Sequence, residues 1–482
     1  MTPTAGTERL ANDPTEAILA DGRHLVHSFA DLHALGADGA RSVIVEGRGA
    51  HVFDARGTRY LDGTAGLWCV NVGHGRREIA EAVREQLETL DYFSTFYQYV
   101  HPTAAALARR LAELAPAHLN RVHFGNSGSV ANDTAVRTLH HYFNRLGRPR
   151  KKKILSRIGA YHGSTHLSVA MTTPDYRAGW DSADELVHFL ACPCPYYRPD
   201  GMGEAEFGDF LIEDMRRDIE KVGPERIAAF IAEPVLGAGG VMVPPAGYHR
   251  RAEALCREYD ILTISDEVVT AFGRLGHAFA SEDAFGLAPD VLCVAKGLTS
   301  GYQPLSATLL SDAIHEVVAG EGAKFLHGTT YSGHPACCAA ALANLDILER
   351  EDLCGHVRRI GPRFEAALGA LGDLPTVGDV RGSHLMTAIE FARDPAARER
   401  FDVSLGVPAR VAEHARRRGA IVRPIAHAIV MSPPLVIDEG WIDELVGTLR
   451  ESIEATAAEL AAEGALGGTG GATARIPAPT AA

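Results

Sequence analysis

Between residues 150 and 300, short apolar runs alternate with longer stretches of helical, amphipathic character. The runs are "KKKILSRIG" (151–159), "RIAAFIAEPV" (226–235), "DILTISDEV" (260–268) and "DVLCVAKG" (290–297), and helical stretches such as "YHRRAEALCREYD" (248–260) lie between them. This alternation predicts an α/β fold, with a mostly parallel sheet covered by helices on both faces. After "SGHP" (332–335) the pattern changes. A long helix is expected over "ACCAAALANLDILERE" (336–351), followed by strand candidates in "SHLMTAIEF" (383–391) and "AIVRPIAHAIVMSPPLVI" (420–437). Together these predict a second, smaller α+β domain. Residues 1–20 are polar, and residues 464–482 are rich in Gly, Ala, Thr and Pro, so both ends are expected to be loose and free of chemistry. The chain is expected to divide into an N-terminal segment packing with the small domain (1–75), a large domain (76–335), the small domain (336–463) and a disordered tail (464–482).

Composition narrows the function classes. The chain has 482 residues, 46% of them hydrophobic, which is more than one small core needs. Its formal net charge is −14, and "RPRKKK" (148–153) is its only dense basic block, so a nucleic-acid partner has little electrostatic support. The eight cysteines show no paired C-x-x-C arrangement. That usage fits a reducing compartment and gives no structural metal site. The first residues lack a basic segment followed by an apolar one, and no run reaches the ~18 apolar residues of a membrane span. The expectation is a cytoplasmic protein with no membrane partner.

The chemistry gathers at strand ends. Lys296 follows a run that reads as a buried strand, and Asp266 ends another run 30 residues earlier, about one strand–helix–strand unit. In an open α/β sheet, ligands collect at the carboxyl edges of the strands, so the amine and the carboxylate can face one crevice. A third element is "VHFGNSGSVANDTAVRTLHHYF" (122–143), where a strand breaks into Gly125, Ser127, Gly128 and Ser129 before a helix. Free backbone N–H groups, the helix dipole and small hydroxyls make that break a phosphate seat. An amine for a Schiff base, an anion for a ring nitrogen and a phosphate seat are what pyridoxal phosphate requires. Each feature alone is ordinary: a snorkelling lysine, a turn-forming aspartate, a plain helix entry. Their order and context carry the reading.

"SDEVVTAFGR" (265–274), "AKGLTSGYQPL" (295–305) and "HGTTYSGHP" (327–335) resemble class III aminotransferases of pyridoxal phosphate fold type I, over about residues 25 to 460. "LDGTAGLWCVNVGHG" (61–75), "FSTFYQYVHP" (93–102), "AYHGST" (160–165) and "EPVLGAGGVMVPP" (233–245) resemble the ω-amino acid or amine:pyruvate branch. The resemblance implies a seven-stranded, mostly parallel sheet in the large domain. It makes Lys296 the residue bound to the cofactor and the later proton carrier, with Asp266 on the pyridinium nitrogen and Val268 against the ring. Gly128 and Ser129 hold the phosphate, Tyr161 lines the ring with His162 and Gly163 beside it, and Glu233 lies near it. Thr330 reaches the phosphate of a partner subunit's cofactor, which implies a homodimer with shared active sites, or a tetramer containing it.

For substrates, the resemblance implies pocket walls from Trp68, Phe96, Tyr161 and Phe29, with Arg423 as a movable carboxylate clamp. An amine or ω-amino acid donor would pass its amino group to a keto acid such as pyruvate by a ping-pong route. Arginine suits the clamp because its fork matches a carboxylate in two hydrogen bonds. Two positions depart from the family pattern. Val130 stands where glutamate is usual in the phosphate motif, and Leu236 stands where glutamine is usual after "EPV". Alternatives on the same scaffold are an aminomutase, a decarboxylating aminotransferase or a catalytically silent binding protein, the last favoured only by Val130. An NAD-dependent oxidoreductase would need a G-x-G-x-x-G turn after a strand, and none is present.

Overall fold

The computed structural model describes residues 14–37 and 42–466. Strands β1 (Ile44–Arg48), β2 (His51–Asp54) and β3 (Arg59–Asp62) form an antiparallel meander near the start. The central sheet holds β4 (Leu119–Gly125), β5 (Lys153–Arg157), β6 (Val187–Leu190), β7 (Ile227–Ala232), β8 (Leu262–Asp266), β9 (Val291–Val294) and β10 (Ser306–Ser311). Its order is β4-β10-β9-β8-β7-β5-β6, and only β10 runs against its neighbours. This is the seven-stranded, mostly parallel sheet that was expected, and each of the four apolar runs contains one of its strands. β7 and β9 are buried at every position, as continuous apolar runs in a sheet covered on both faces should be.

The covering helices show why they lie where they do. In Glu204–Val222 the buried side chains include Phe207, Leu211, Met215 and Ile219, four apart, which sets one stripe against the sheet. Helix Tyr248–Glu258 buries Tyr248, Ala252, Leu255 and Cys256, and both helices share one core with Leu155 and Phe230 of the sheet. Each fully buried side chain of this size contributes about 1.5–3 kcal/mol. On the other face, Ala131, Ala135, Val136, Leu139 and Phe143 of helix Gly128–Arg145 pack with Ile154, Ile231, Ile264 and Cys293. That helix starts where β4 ends, so its amino end sits at the carboxyl edge of the sheet.

The C-terminal third adds the α+β unit. β11 (Val377–Ser383), β12 (Met386–Asp394), β13 (Glu399–Arg400), β14 (Ala420–Ile421), β15 (Arg423–Pro424) and β16 (Ala428–Met431) follow helices Pro335–Arg350 and Leu353–Gly369. The candidate region 420–437 breaks into three short strands serving two sheets. β14 pairs in parallel with β3, while β15 and β16 join β12. Residues 44–62 and 420–421 therefore share one sheet.

Two end segments differ from expectation. Residues 14–20, expected to be loose, belong to helix Pro14–His24, which has Glu16 in its first turn and Arg23 and His24 in its last. That charge order favours the helix dipole. Residues 1–13 and 467–482 lie outside the described residues, and Ala465 and Leu466 pack against the core. Among the described residues, no helix is long and apolar enough to cross a membrane, and no group of His, Cys, Asp and Glu could hold a metal ion.

Candidate active site

β8 ends on Asp266, and its neighbour β9 ends two residues before Lys296. Because the two strands are parallel, with Asp266 opposite Cys293, both functional groups reach the same edge of the sheet. Lys296 has φ 40°, a left-handed value that a side-chain-bearing residue holds only under constraint. The constraint is visible just after it. Asn344 Nδ2 donates to the carbonyls of Gly297 and Leu298 at 2.9 and 3.0 Å, and Ser300 Oγ donates to Asn344 Oδ1 at 2.6 Å. A Cβ at Gly297 would meet Asn71 Nδ2 at 2.4 Å, so the backbone passes too close to Asn71 for any other residue.

Among the described residues Lys296 Nζ makes no hydrogen bond. Burial pushes its ammonium below the usual lysine range; Cys69, Asp266 and Glu233 pull it upward, and Arg423 adds to the lowering. Asp266 is 3% exposed. Its Oδ2 accepts from Asn132 Nδ2 and His162 Nδ1, each at 2.7 Å, and its Oδ1 accepts from the Val268 amide at 3.1 Å. As a carboxylate it can only accept, so His162 Nδ1 carries the hydrogen. Asn132 Nδ2 also donates to the His162 carbonyl at 2.8 Å, closing a buried triangle. Glu233, 4% exposed, accepts from the amides of Tyr161 (3.0 Å) and Gly237 (2.9 Å), and burial pushes its carboxyl above the ordinary range.

The phosphate seat forms at the start of helix Gly128–Arg145. Ser127 Oγ caps it by accepting from the Val130 amide, while the N–H groups of Gly128 and Ser129 find no acceptor among the described residues. Orphan donors at a helix start are what an anion takes up. The cradle tolerates no extra atoms: a Cβ on Gly128 would meet Val268 Cγ1 at 2.8 Å, and one on Gly163 would meet Ser129 Oγ at 2.5 Å. Ser129 Oγ accepts from the Ser164 amide at 3.1 Å, tying the two loops together. The unusual Val130 turns toward Gly125, where an added Cβ would come within 2.9 Å of its Cγ1, and its carbonyl accepts from Thr134 Oγ1. Leu236 is fully buried beside Ala160, Cys192, Cys194 and Met242.

The substrate candidates fall into two groups. Tyr161 meets Phe29 and Tyr176 edge-on, at ring centroid distances of 6.0 and 5.8 Å. Tyr176 went unnoticed in the sequence; the charges of Arg423 and Glu233 both act on its hydroxyl, whose acidity burial weakens. Arg423 is half-buried and makes no ion pair among the described residues. Trp68 is 3% exposed, in an apolar cluster with Val235, Leu275, Met386 and Val430. Phe96 and Thr330 form the second group. A Cβ on Gly328 would meet Phe96 Cε1 at 2.7 Å, and the exposed Thr330 accepts the Tyr92 hydroxyl through its carbonyl at 2.7 Å. Neither hydrogen-bonds to the Lys296 group of its own chain among the described residues.

A buried anion, with an amine and N–H groups left without partners among the described residues in a cradle closed to a methyl group, fits pyridoxal phosphate. The family model for aminotransferase class-III matches residues 34–453, and the chain belongs to that family, whose members depend on pyridoxal phosphate. Among curated proteins it is 41% identical to a putrescine–pyruvate aminotransferase of Pseudomonas aeruginosa, over 91% of this chain and 96% of that one. A diaminobutyrate–2-oxoglutarate transaminase of Halomonas elongata is 39% identical over 89% and 93%. Among solved structures, an (S)-enantioselective omega-transaminase from Thermomicrobium roseum superposes with a TM-score of 0.89 at 42% identity, covering 92% of this chain and 99% of that one. The omega transaminase from Pseudomonas jessenii in complex with PMP gives 0.88 at 34%, covering 92% and 98%. The chain is a transaminase that moves an amino group to a keto acid, and the mutase and silent readings are not favoured.

Proposed function

We propose that the amino donor is an amine or an ω-amino acid, with pyruvate as the keto acid, and that Lys296, Asp266 and Arg423 divide the chemistry. Pyridoxal phosphate, when bound, supplies an aldehyde for the donor amine and a ring that accepts electrons from the amine-bearing carbon. Gly128, Ser129 and the Gly163 loop would hold its phosphate, Asp266 its ring nitrogen and Val268 its ring face. Lys296 Nζ, whose charged form burial disfavours, takes the proton from the amine-bearing carbon and holds it for return. Asn132 and His162 fix the Asp266 carboxylate so that its charge stays on the ring side. Arg423, free of a carboxylate partner among the described residues, receives the carboxylate of pyruvate. Phe29, Trp68, Tyr161 and Tyr176 give an uncharged donor an aromatic environment once Arg423 moves aside.

The single observation that carries this reading is a half-buried lysine, without a hydrogen-bond partner among the described residues, next to a carboxylate locked by two buried donors. A donor of the putrescine type is supported by the named relative from Pseudomonas aeruginosa.

A homodimer with shared sites is part of the proposal. Phe96 and Thr330 sit among exposed apolar side chains: Tyr97 is 99% exposed, Leu326 84% and Val100 71%. A second copy covering that patch would bring both residues to its own Lys296. All eight cysteines are free thiols, which supports a cytoplasmic setting. The test of donor and acceptor is a panel of linear diamines, ω-amino acids and aryl amines against pyruvate, 2-oxoglutarate and glyoxylate. Alanine formation from a diamine supports the proposal, and glutamate formation alone replaces pyruvate as acceptor.

A further inference from the structure

Asp62 ends β3, is 2% exposed, and takes no part in the site described above. Its carboxylate is nevertheless crowded with donors. Oδ1 accepts from the Thr64 amide (3.1 Å) and hydroxyl (2.9 Å), and Oδ2 accepts from the Gly66 amide (2.8 Å) and His74 Nε2 (2.9 Å). Burial works to raise its pKa, yet the His74, Gly66 and Thr64 bonds hold the carboxyl below its ordinary range.

The turn folded by these bonds is one the backbone resists. Ala65, Gly66 and Trp68 have φ of 47°, 67° and 65°, and two of the three carry side chains. Such conformations persist only where surrounding contacts over-determine them. The Asp62 bonds to the Thr64 and Gly66 amides are among the contacts that hold the turn carrying Trp68. Cys69, the next residue, is close enough to Lys296 for the charge of each to act on the other.

The same strand end also anchors the segment that leads to Arg423. Asp62 stands opposite Ile421 in the parallel pair β3–β14, the Gly63 amide donates to the Ile421 carbonyl at 2.9 Å, and the Ser432 amide donates to the Gly63 carbonyl at 2.7 Å. Arg423 follows Ile421 by two positions. Trp68 and Arg423 thus hang from one strand pair.

We infer that Asp62, oriented by His74, is a positioning residue that sets the aperture of the donor pocket between Trp68 and Arg423. The inference rests on the reading of Trp68 as a pocket wall. Asp62→Asn keeps the volume but replaces one acceptor oxygen with a donor that faces donors. His74 lines a surface cavity of about 640 Å³, which gives substitutions there room.

The measurement is the ratio of kcat/KM for a branched aryl amine to that for a linear diamine, with pyruvate as acceptor. Asp62→Asn is expected to raise this ratio about tenfold or more, through the KM of the aryl amine, the scale on which pocket walls act on specificity. His74→Leu should raise it in the same direction, and His74→Gln, which keeps a donor, should restore the wild-type ratio. Should Asp62→Asn fail to fold, the two His74 variants carry the comparison. Trp68→Ala separates two failures. An unchanged ratio in Trp68→Ala removes the wall reading. A shifted ratio there, with proportional losses on both donors in Asp62→Asn and His74→Leu, overturns the role of Asp62.

Discussion

His162 Nδ1 lies 2.7 Å from Asp266 Oδ2, and both residues are almost completely shielded from solvent. A buried carboxylate needs every donor it can reach, because an unmet charge there costs more than an exposed one. Asp266→Asn removes the charge and is expected to lower kcat by about 10²–10³-fold, as loss of one preorganised electrostatic group does. His162→Ala leaves Asp266 one donor short and should cost about 1–3 kcal/mol of stability. Thermal unfolding and steady-state kinetics of both variants check this. An unchanged kcat in Asp266→Asn removes its assigned role.

Lys296 gives a pH signature in the cofactor-free protein. Its pKa in the folded chain is depressed from 10.5, chiefly by burial, so the unfolded chain binds this proton more tightly. Stability linked to it is complete above the ordinary lysine value and is lost as pH falls through the depressed one. Lys296→Met should therefore be more stable than the wild-type apoprotein at neutral pH, with the gap narrowing as pH rises toward 10.5. Melting temperatures measured from pH 7 upward read this directly; a constant gap would show that the ammonium is not held away from water.

The Lys296–Asp266 pair was legible because both residues follow apolar runs at equal positions of a repeating unit. What supports them was not. Asn132 lies inside a helix whose sequence reads as a plain entry, and only the tertiary crossing onto Asp266 gives it meaning. Asn344 sits in an alanine-rich helix, where nothing local marks it as the clamp on the Lys296 loop. Tyr176 lies in a single four-residue 3-10 turn, Pro174–Arg177, too short to show a periodicity. Region 420–437 looked like strand but not like three strands in two sheets, because the division depends on pairing with β3 and β12, far away in sequence. Phe96 and Thr330 are assigned to a site by resemblance alone, since a half-buried phenylalanine and an exposed threonine offer no local reason for one.

Arg423 is expected to act on the acceptor. Arg423→Ala should raise the KM for pyruvate by about tenfold to a hundredfold, the worth of a charge-assisted hydrogen bond, while changing the KM of an uncharged amine little. Initial-rate kinetics with each substrate varied separately test this. An equal rise for both substrates would mean that Arg423 is structural.

Shared sites predict complementation. A Lys296→Ala protomer retains Phe96 and Thr330, and a protomer altered at Phe96 and Thr330 retains Lys296. Mixed under exchange at limiting cofactor, the two weak proteins should regain activity in the one site that combines intact parts. No recovery, with mixed dimers confirmed by mass, would show that each chain completes its own site.

The most direct measurement is borohydride reduction of the cofactor-saturated enzyme followed by peptide mapping. A pyridoxyl mass on Lys296 alone, absent from Lys296→Ala, is the expected outcome. The same mass on another lysine, or on none, would refute the assignment of this residue as the one that holds the cofactor.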